Sequence, residues 1–278
     1  MTTKRSRTRT RRSRAGRTEK KEETEEKTMY EAFAEVYDEL MNDIDYEGWA
    51  DYYVRLLSIY GIRSGKICEC ACGTGGLTIP LAARGFSMTG VDLSQEMLWQ
   101  AAQKSRKAGM AIPFVRQDMR GLHLHRPMDA VIATCDGVNY LLNEGDLESF
   151  LAAARAAVRP GGALIFDVST PRKLKDVLGG GGLFGEDREN ITYLWTNRWH
   201  EQKKTVEMAL TFFAREEDGR YRRIDEKQKQ RAWEAQELKE ALWRSGFRAV
   251  SLYGDFTLQA ATEAHSRWHI AATRSEEA

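Results

Sequence analysis

Between residues 66 and 168 the chain alternates short apolar runs with helical patterns, and this alternation restricts the possible fold more than any other feature. The runs are Lys66–Cys72, Phe86–Val91, Ile112–Val115, Met128–Thr134 and Ala163–Val168. Strands that alternate with helices are typically parallel and lie in one sheet, with helices on both faces. The sequence therefore predicts a Rossmann-like, doubly wound α/β domain.

Two helical patterns precede this region and a different pattern follows it. The helices are expected at about 30–41 and 46–60. Beyond Pro171, residues 190–233 read as antiparallel strands, and a helix with two closing strands then completes a seven-stranded sheet. We expect a main domain at 29–189 and 234–278, with a small antiparallel sheet inserted at 190–233 after the fifth strand.

A glycine-rich loop follows the first apolar run, with the sequence ECACGTGG from Glu69 to Gly76. Small residues at alternate positions let the backbone approach a ligand closely. The dinucleotide-binding fingerprint would need a third glycine at position 78, which is Thr78. The spacing therefore does not fit that fingerprint.

Two aspartates follow the next two strands in order. Asp92 ends the second strand, and Asp118 follows the third. A carboxylate in the first position can accept hydrogen bonds from both ribose hydroxyls. Each aspartate alone could equally be a strand-end or helix-cap carboxylate, but their order after the glycine loop favours a nucleoside-containing cofactor.

These residues together resemble the class I S-adenosylmethionine-dependent methyltransferases. The likeness spans about residues 30–274 and is similar in layout to glycine N-methyltransferase and the sugar N,N-dimethyltransferases. The family's first motif usually has glycine where this chain has Ala71, and a methyl group is tolerable there if φ is negative. The resemblance implies S-adenosyl-L-methionine as cofactor, bound by Tyr37, Glu69, Ala71, Gly73, Gly75, Asp92, Leu93, Met97, Asp118, Met119 and Cys135.

The resemblance also implies methyl transfer to an N or O atom of a small-molecule acceptor. Residues after the fourth strand face the reacting group, because ligands bind at the carboxyl ends of the strands. Candidates to orient or deprotonate the acceptor are Asp136, Asn139, Tyr140 and His200, each with a packing or surface role as the alternative. His200 lies in the insert, which could cover the pocket. Cytosine-C5 methyltransferases have a proline next to their nucleophilic cysteine, and Cys135 lacks this proline. We therefore expect Cys135 to line the pocket wall and not to act as a nucleophile.

The charge distribution separates a basic tail from a mildly acidic remainder. Residues 1–27 carry eleven Lys and Arg and five Glu, whereas the whole chain has a net charge of +1. We expect residues 1–28 to be disordered, because they hold no large aliphatic side chain except Met1. The remainder, at −5, has no nucleic-acid footprint, so any nucleic-acid contact would involve the tail. The cysteines lack metal-ligand spacing and are expected to be buried thiols with no metal.

Two other functions remain open on the sequence alone. One is an RNA or protein methyltransferase tethered by the basic arm, and the other is a non-catalytic regulatory module that binds the cofactor. We expect no membrane span and no signal peptide, because no apolar run approaches about 20 residues. The default is a cytoplasmic monomer or homodimer.

Overall fold

The computed structural model describes residues 37–276. Residues 37–40 are helical and belong to the predicted first helix. The tail predicted at 1–28 and most of that helix lie outside the described residues. Within them, no helix is both long and apolar enough to cross a membrane.

Two β-sheets contain the strands of the described residues. The strands are β1 (Lys66–Cys70), β2 (Ser87–Asp92), β3 (Phe114–Arg116), β4 (Met128–Ala133), β5 (Val158–Ser169), β6 (Leu183–Asp187), β7 (Ile191–His200), β8 (Thr205–Arg215), β9 (Tyr221–Arg231), β10 (Phe247–Gly254) and β11 (Arg267–Arg274). The main sheet has seven strands in the order β10-β11-β5-β4-β1-β2-β3. Strand β11 runs antiparallel to β5 and β10, and the other neighbouring strands pair in parallel. This topology confirms the predicted fold class.

Five α-helices connect and cover the main sheet. They are α1 (Tyr46–Ile59), α2 (Thr78–Ala83), α3 (Gln95–Lys107), α4 (Glu144–Ala157) and α5 (Ala235–Arg244), and a short helix at Arg172–Leu178 follows β5. Side chains cap four of these helices: Asp45 accepts from Gly48 N, Ser94 from Met97 N and Asn143 from Asp146 N, and Glu234 and Glu237 form a capping box at the start of α5. Such caps satisfy amides that have no partner within the helix.

The core lies on both faces of the main sheet, because successive strand residues point to opposite sides. One face packs Cys68, Cys70 and Phe166 against α4 and α5. The other packs Ile67 and Ile165 against the buried tyrosines and leucines of α1. Cys68, Cys70 and Cys72 are free, buried thiols, as the sequence predicts.

The second sheet, β6-β7-β8-β9, is the insert sheet. Strand β9 alternates exposed and less exposed residues, and one row across the sheet pairs Tyr193 with Phe212 and Phe212 with Ile224. This apolar row packs on Met97 of α3 and on Tyr37. The insert sheet therefore stands over the end of the main sheet where β1 and β2 finish.

The insert sheet begins earlier than the predicted bound of residue 190. Its first strand, β6, was not predicted from the sequence, and all five of its residues are exposed. An edge strand that buries neither face has no hydrophobic alternation to reveal it. The glycine run at residues 179–182 also hides its beginning.

Candidate active site

A cavity of about 680 Å³ opens at the carboxyl ends of β1, β2 and β4. Most of the residues predicted to bind the cofactor line it, namely Tyr37, Glu69, Ala71, Gly73, Asp92, Leu93, Met97, Asp118, Met119 and Cys135, together with the acceptor candidate Tyr140. The insert sheet contributes Gln228 to the wall. Pockets in doubly wound folds occur at this edge of the sheet.

The glycine loop forms the floor of the cavity. Gly73 has φ +52° and donates its N–H to Asp92 Oδ2 at 2.8 Å. Nothing lies within 4 Å of a Cβ built on Gly73, whereas one built on Gly76 would stand 2.6 Å from the Tyr46 ring. The loop therefore keeps its backbone open to a ligand and presses against α1 from behind.

Two expectations about this loop need correction. Ala71 has φ +52°, so the condition of a negative φ is not met, and the residue is in a conformation that favours glycine. Gly75 does not line the cavity. A Cβ there would meet Ala101 at 3.2 Å and Phe114 at 3.4 Å, so Gly75 permits close packing against α3 and β3.

Asp92 joins the loop to the start of α3. Its Oδ2 accepts from Gly73 N, and its Oδ1 accepts from Ser94 N at 2.9 Å. Burial raises the pKa of this carboxyl, although these backbone donors favour its charged form. A carboxylate has about four acceptor positions, so Asp92 keeps capacity for a further hydroxyl donor.

Asp118 lies at the far end of the cavity with Arg120. The guanidinium donates from Nε at 2.9 Å and from Nη2 at 2.6 Å to Oδ2 of Asp118. Arg120 also contacts Asp146 of α4 at 2.8 Å. The hydrogen bond from Arg120 lowers the pKa of the Asp118 carboxyl, which is therefore an anion at neutral pH.

Glu69 is a buried carboxyl in the middle of the cavity wall. Its Oε1 accepts from Thr134 Oγ1 at 2.6 Å, and its Oε2 accepts from the hydroxyl of Thr78. Burial raises its pKa to about 7, against the opposing effect of both hydroxyls. Glu69 thus ties the end of β1 to the start of α2 and the end of β4.

Three tyrosines line the side of the cavity that faces the insert sheet. Tyr37 hydrogen-bonds Tyr46 and lies near Cys135 and Tyr140. The Tyr140 hydroxyl donates to Gln228 Oε1 at 2.7 Å. Burial raises the pKa of Tyr37 and of Tyr46, so both remain neutral hydroxyls.

Cys135 stands at a sharp corner after β4. It and Asp136 both have positive φ, at +54° and +66°. Burial raises the pKa of the Cys135 thiol well above its usual value, so the nucleophilic thiolate is not formed at neutral pH. The raised pKa agrees with the expectation that Cys135 lines the cavity wall and is not a nucleophile.

Three acceptor candidates do not line the cavity. The buried Asn139 donates to the carbonyls of Ser169 and Arg231 and accepts from Ser169 N, which is a structural role. Asp136 pairs with Arg267. Burial raises the pKa of this aspartate, but the charges of Arg267 and Lys173 and the hydrogen bonds from Arg267 and Ser169 together lower it below its usual value. His200 lines a separate concavity of about 540 Å³ with Lys203 and Lys229.

Several cavity residues were not predicted from the sequence. Tyr46, Thr134, Arg116, Arg120 and Gln228 line the wall, and Thr78 holds Glu69 from behind. Tyr46 opens a helix and Gln228 lies in an alternating strand, so their sequence patterns indicate secondary structure alone. Within residues 37–276, no three His, Cys, Asp or Glu side chains are arranged to hold a metal ion.

Known proteins with similar sequences agree with this geometry. A family model described as a methyltransferase domain matches residues 67–162. A protein named as a methyltransferase in Geobacillus sp. strain WCH70 is 36% identical over 239 residues, covering 86% of this chain and 96% of the relative. The chain belongs to the class I S-adenosylmethionine-dependent methyltransferases. S-adenosyl-L-methionine is the cofactor of this methyltransferase.

Solved structures share the fold of this methyltransferase. A S-adenosylmethionine-dependent methyltransferase from Clostridium acetobutylicum has a TM-score of 0.79 at 28% identity and covers 88% of this chain and 99% of its own. An amino pentose methyltransferase from Micromonospora echinaspora, solved with S-adenosylmethionine, has a TM-score of 0.70 at 20% identity. The match covers 86% of this chain and 97% of the amino pentose methyltransferase chain. At 20% identity, this similarity is evidence for the fold alone.

Proposed function

We propose that this methyltransferase methylates the nitrogen of a small amine, with the cofactor in the 680 Å³ cavity and the acceptor on its tyrosine side. The observation that carries the proposal is the composition of that side. Tyr37, Tyr46 and Tyr140 supply aromatic faces and hydroxyls, and the cavity's arginines, Arg116 and Arg120, lie at the Asp118 end.

The cofactor half of the cavity fits S-adenosylmethionine. Asp92 can accept from the ribose hydroxyls with the acceptor positions that Gly73 and Ser94 leave free. Asp118 and Met119 lie where the adenine would bind, and the backbone of Ala71 and Gly73 faces the methionine portion. Leu93, Met97 and Tyr37 add apolar contact area.

The tyrosine side favours an amine over an alcohol, because no side chain there is a ready base. Cys135, Tyr37 and Tyr46 have raised pKa values, and Glu69 belongs to the cofactor half, at the end of β1, where Thr78 and Thr134 hold it. S-adenosylmethionine supplies an electrophilic methyl group on a sulfonium. A neutral amine attacks with its lone pair and becomes a cation, which aromatic faces stabilise. An alcohol would need to lose its proton early.

Gln228 links the insert sheet to acceptor binding. Its hydrogen bond to Tyr140 connects β9 to the turn after β4. The insert sheet therefore contributes to the wall on the acceptor side. His200 takes no part in this wall.

A methyl-transfer assay on matched acceptor pairs tests the proposal. An amino sugar is compared with the sugar that has a hydroxyl at the same position, over a set of such pairs, with S-adenosylhomocysteine release and product mass measured. We expect methylated products from amines only. Products from hydroxyls alone would contradict the proposal.

A variant that lacks residues 1–28 provides the control for the tethered-polymer alternative. Its turnover of the small amine should equal that of the full chain. A large loss on this deletion, together with methylation of RNA or protein by the full chain, would favour the polymer acceptor.

A further inference from the structure

The corner after β4 has an unusual backbone for its sequence. Cys135 and Asp136 are consecutive non-glycine residues with φ of +54° and +66°. L-residues rarely adopt this conformation, and it persists only where the surroundings enforce it. Such strain commonly occurs at functional sites, and Cys135 lines the cavity.

The corner contacts both halves of the cavity. Thr134, one residue before it, donates to Glu69, and a Cβ on Gly137, one residue after it, would stand 3.1 Å from the Ala71 side chain. Cys135 lies near Tyr37 and Tyr46. The corner thus stands between the cofactor loop and the tyrosine side.

A buried ionic cluster holds the corner from behind. Arg267, at the start of β11, contacts Asp136 Oδ1 at 2.5 Å and also pairs with Asp167 of β5. Asp167 accepts the backbone N–H of Asp136 at 3.1 Å, and Ser169 donates to the Asp136 carboxylate at 2.9 Å. The side chains of Arg267, Asp136 and Asp167 are 12%, 17% and 0% exposed.

Two aromatic residues of α1 also contact this ionic cluster. Tyr53 of α1 donates to Asp167 at 3.2 Å, and the Arg267 guanidinium lies 5.1 Å from the Trp49 ring. These contacts fix Asp167 and Arg267 independently of the cavity. The corner, in contrast, is held through Asp136.

We propose that Arg267 is a positioning residue for methyl transfer, which holds the Cys135–Asp136 corner in its left-handed conformation by pairing with Asp136 and Asp167. The inference rests on the proposed position of the cofactor, whose sulfonium end would face this corner. Loss of Arg267 leaves two buried carboxyls without their cation, and the corner relaxes away from the cavity.

The test compares the dissociation constants of S-adenosylmethionine and S-adenosylhomocysteine, measured by calorimetry. The two ligands differ at the sulfonium and its methyl group. The ratio of their dissociation constants therefore reports on the corner. A variant that is merely less folded loses affinity for both ligands equally, and its ratio does not change. For Arg267→Met we expect the affinity for S-adenosylmethionine, relative to that for S-adenosylhomocysteine, to fall by about fivefold or more from the wild-type ratio.

Two further variants distinguish positioning from general stability. In the Arg267→Met background, Asp136→Gly should restore the ratio to within about twofold of the wild type, because glycine adopts positive φ without an anchor. Arg274→Met is the matched control: Arg274 lies at the opposite end of β11 and donates to the carbonyls of Arg155 and Val158. It should lower thermal stability and leave the ratio unchanged.

An unchanged ratio in Arg267→Met, with a lower melting temperature alone, would overturn the inference. An equal shift of the ratio in Arg274→Met would do the same. Failure of the wild type to bind either ligand would instead refute the proposed function, so the two failures are distinguishable.

Discussion

The cofactor edge of the main sheet and the insert sheet contribute to the same cavity in different ways. The edge supplies consecutive residues from the ends of β1 and β2, and these strands are buried on both faces. Of β6 to β9, by contrast, Gln228 alone lines the cavity, and β9, to which it belongs, alternates exposed and less exposed positions. The cofactor site is thus fixed by local sequence motifs, whereas the acceptor side depends on how two distant parts of the chain meet.

The largest expected effect concerns Glu69, on the cofactor edge. Its pKa of about 7 in the folded protein exceeds the ordinary value of a glutamate, 4.5, so the folded protein binds more protons between these pH values and loses stability as pH rises. Glu69→Gln removes this loss. The difference in free energy of unfolding, variant minus wild type, should increase by about 3 kcal/mol between pH 4.5 and pH 7. Urea titrations at several pH values measure it, and parallel pH profiles would contradict the assignment.

Gly76→Val should reduce cofactor affinity by about a hundredfold, because a Cβ at this position overlaps the Tyr46 ring and displaces the cavity wall. Gly121→Val is the matched control, since nothing lies within 4 Å of a Cβ built on Gly121. Calorimetry with S-adenosylmethionine compares the two. Equal affinities in both variants would show that the loop does not contact the cofactor.

On the insert side, Tyr140→Phe should lower turnover of the amine acceptor by about tenfold through loss of the hydrogen bond to Gln228. Cofactor affinity should stay unchanged, which separates the two regions. Tyr221→Phe, at an exposed tyrosine that begins β9, serves as control. If Tyr140→Phe weakened cofactor binding and left turnover intact, the division between the two sides would be wrong.

The smallest effect is expected at Ala71. Because its φ is +52°, Ala71→Gly relieves a left-handed conformation and should raise stability by up to about 1 kcal/mol. Ala102→Gly, in helix α3, should lower stability by about 0.5–1 kcal/mol. Thermal unfolding measures both, and a destabilised Ala71→Gly would contradict the backbone strain.

The sequence predicted the cofactor edge well because its signals are local. The loop from Glu69, the aspartate at the end of β2 and the order of the strands all lie within short stretches of chain. Periodicity also predicted both sheets, apart from the exposed β6 and the beginning of the insert. The assignment of these residues to cofactor contacts stays a prediction.

The acceptor side could not be predicted in the same way, because its contacts join distant residues. Tyr140 bonds to Gln228 across 88 positions, and Arg267, which lies behind the corner after β4, reaches Asp136 across 131 positions. A single sequence gives no signal for such pairs. Gly75 shows a further limit, since a packing glycine and a ligand-facing glycine look alike in a motif.

Calorimetry with S-adenosylmethionine on the wild type, Asp92→Ala and Asp225→Ala tests most directly that the cofactor binds at the edge of the main sheet. Asp225 is an exposed aspartate of the insert sheet that pairs with Arg223. We predict about micromolar binding by the wild type, at least tenfold weaker binding by Asp92→Ala and an unchanged affinity in Asp225→Ala. No binding by the wild type, or an Asp92→Ala variant that binds as well as it, would contradict the account.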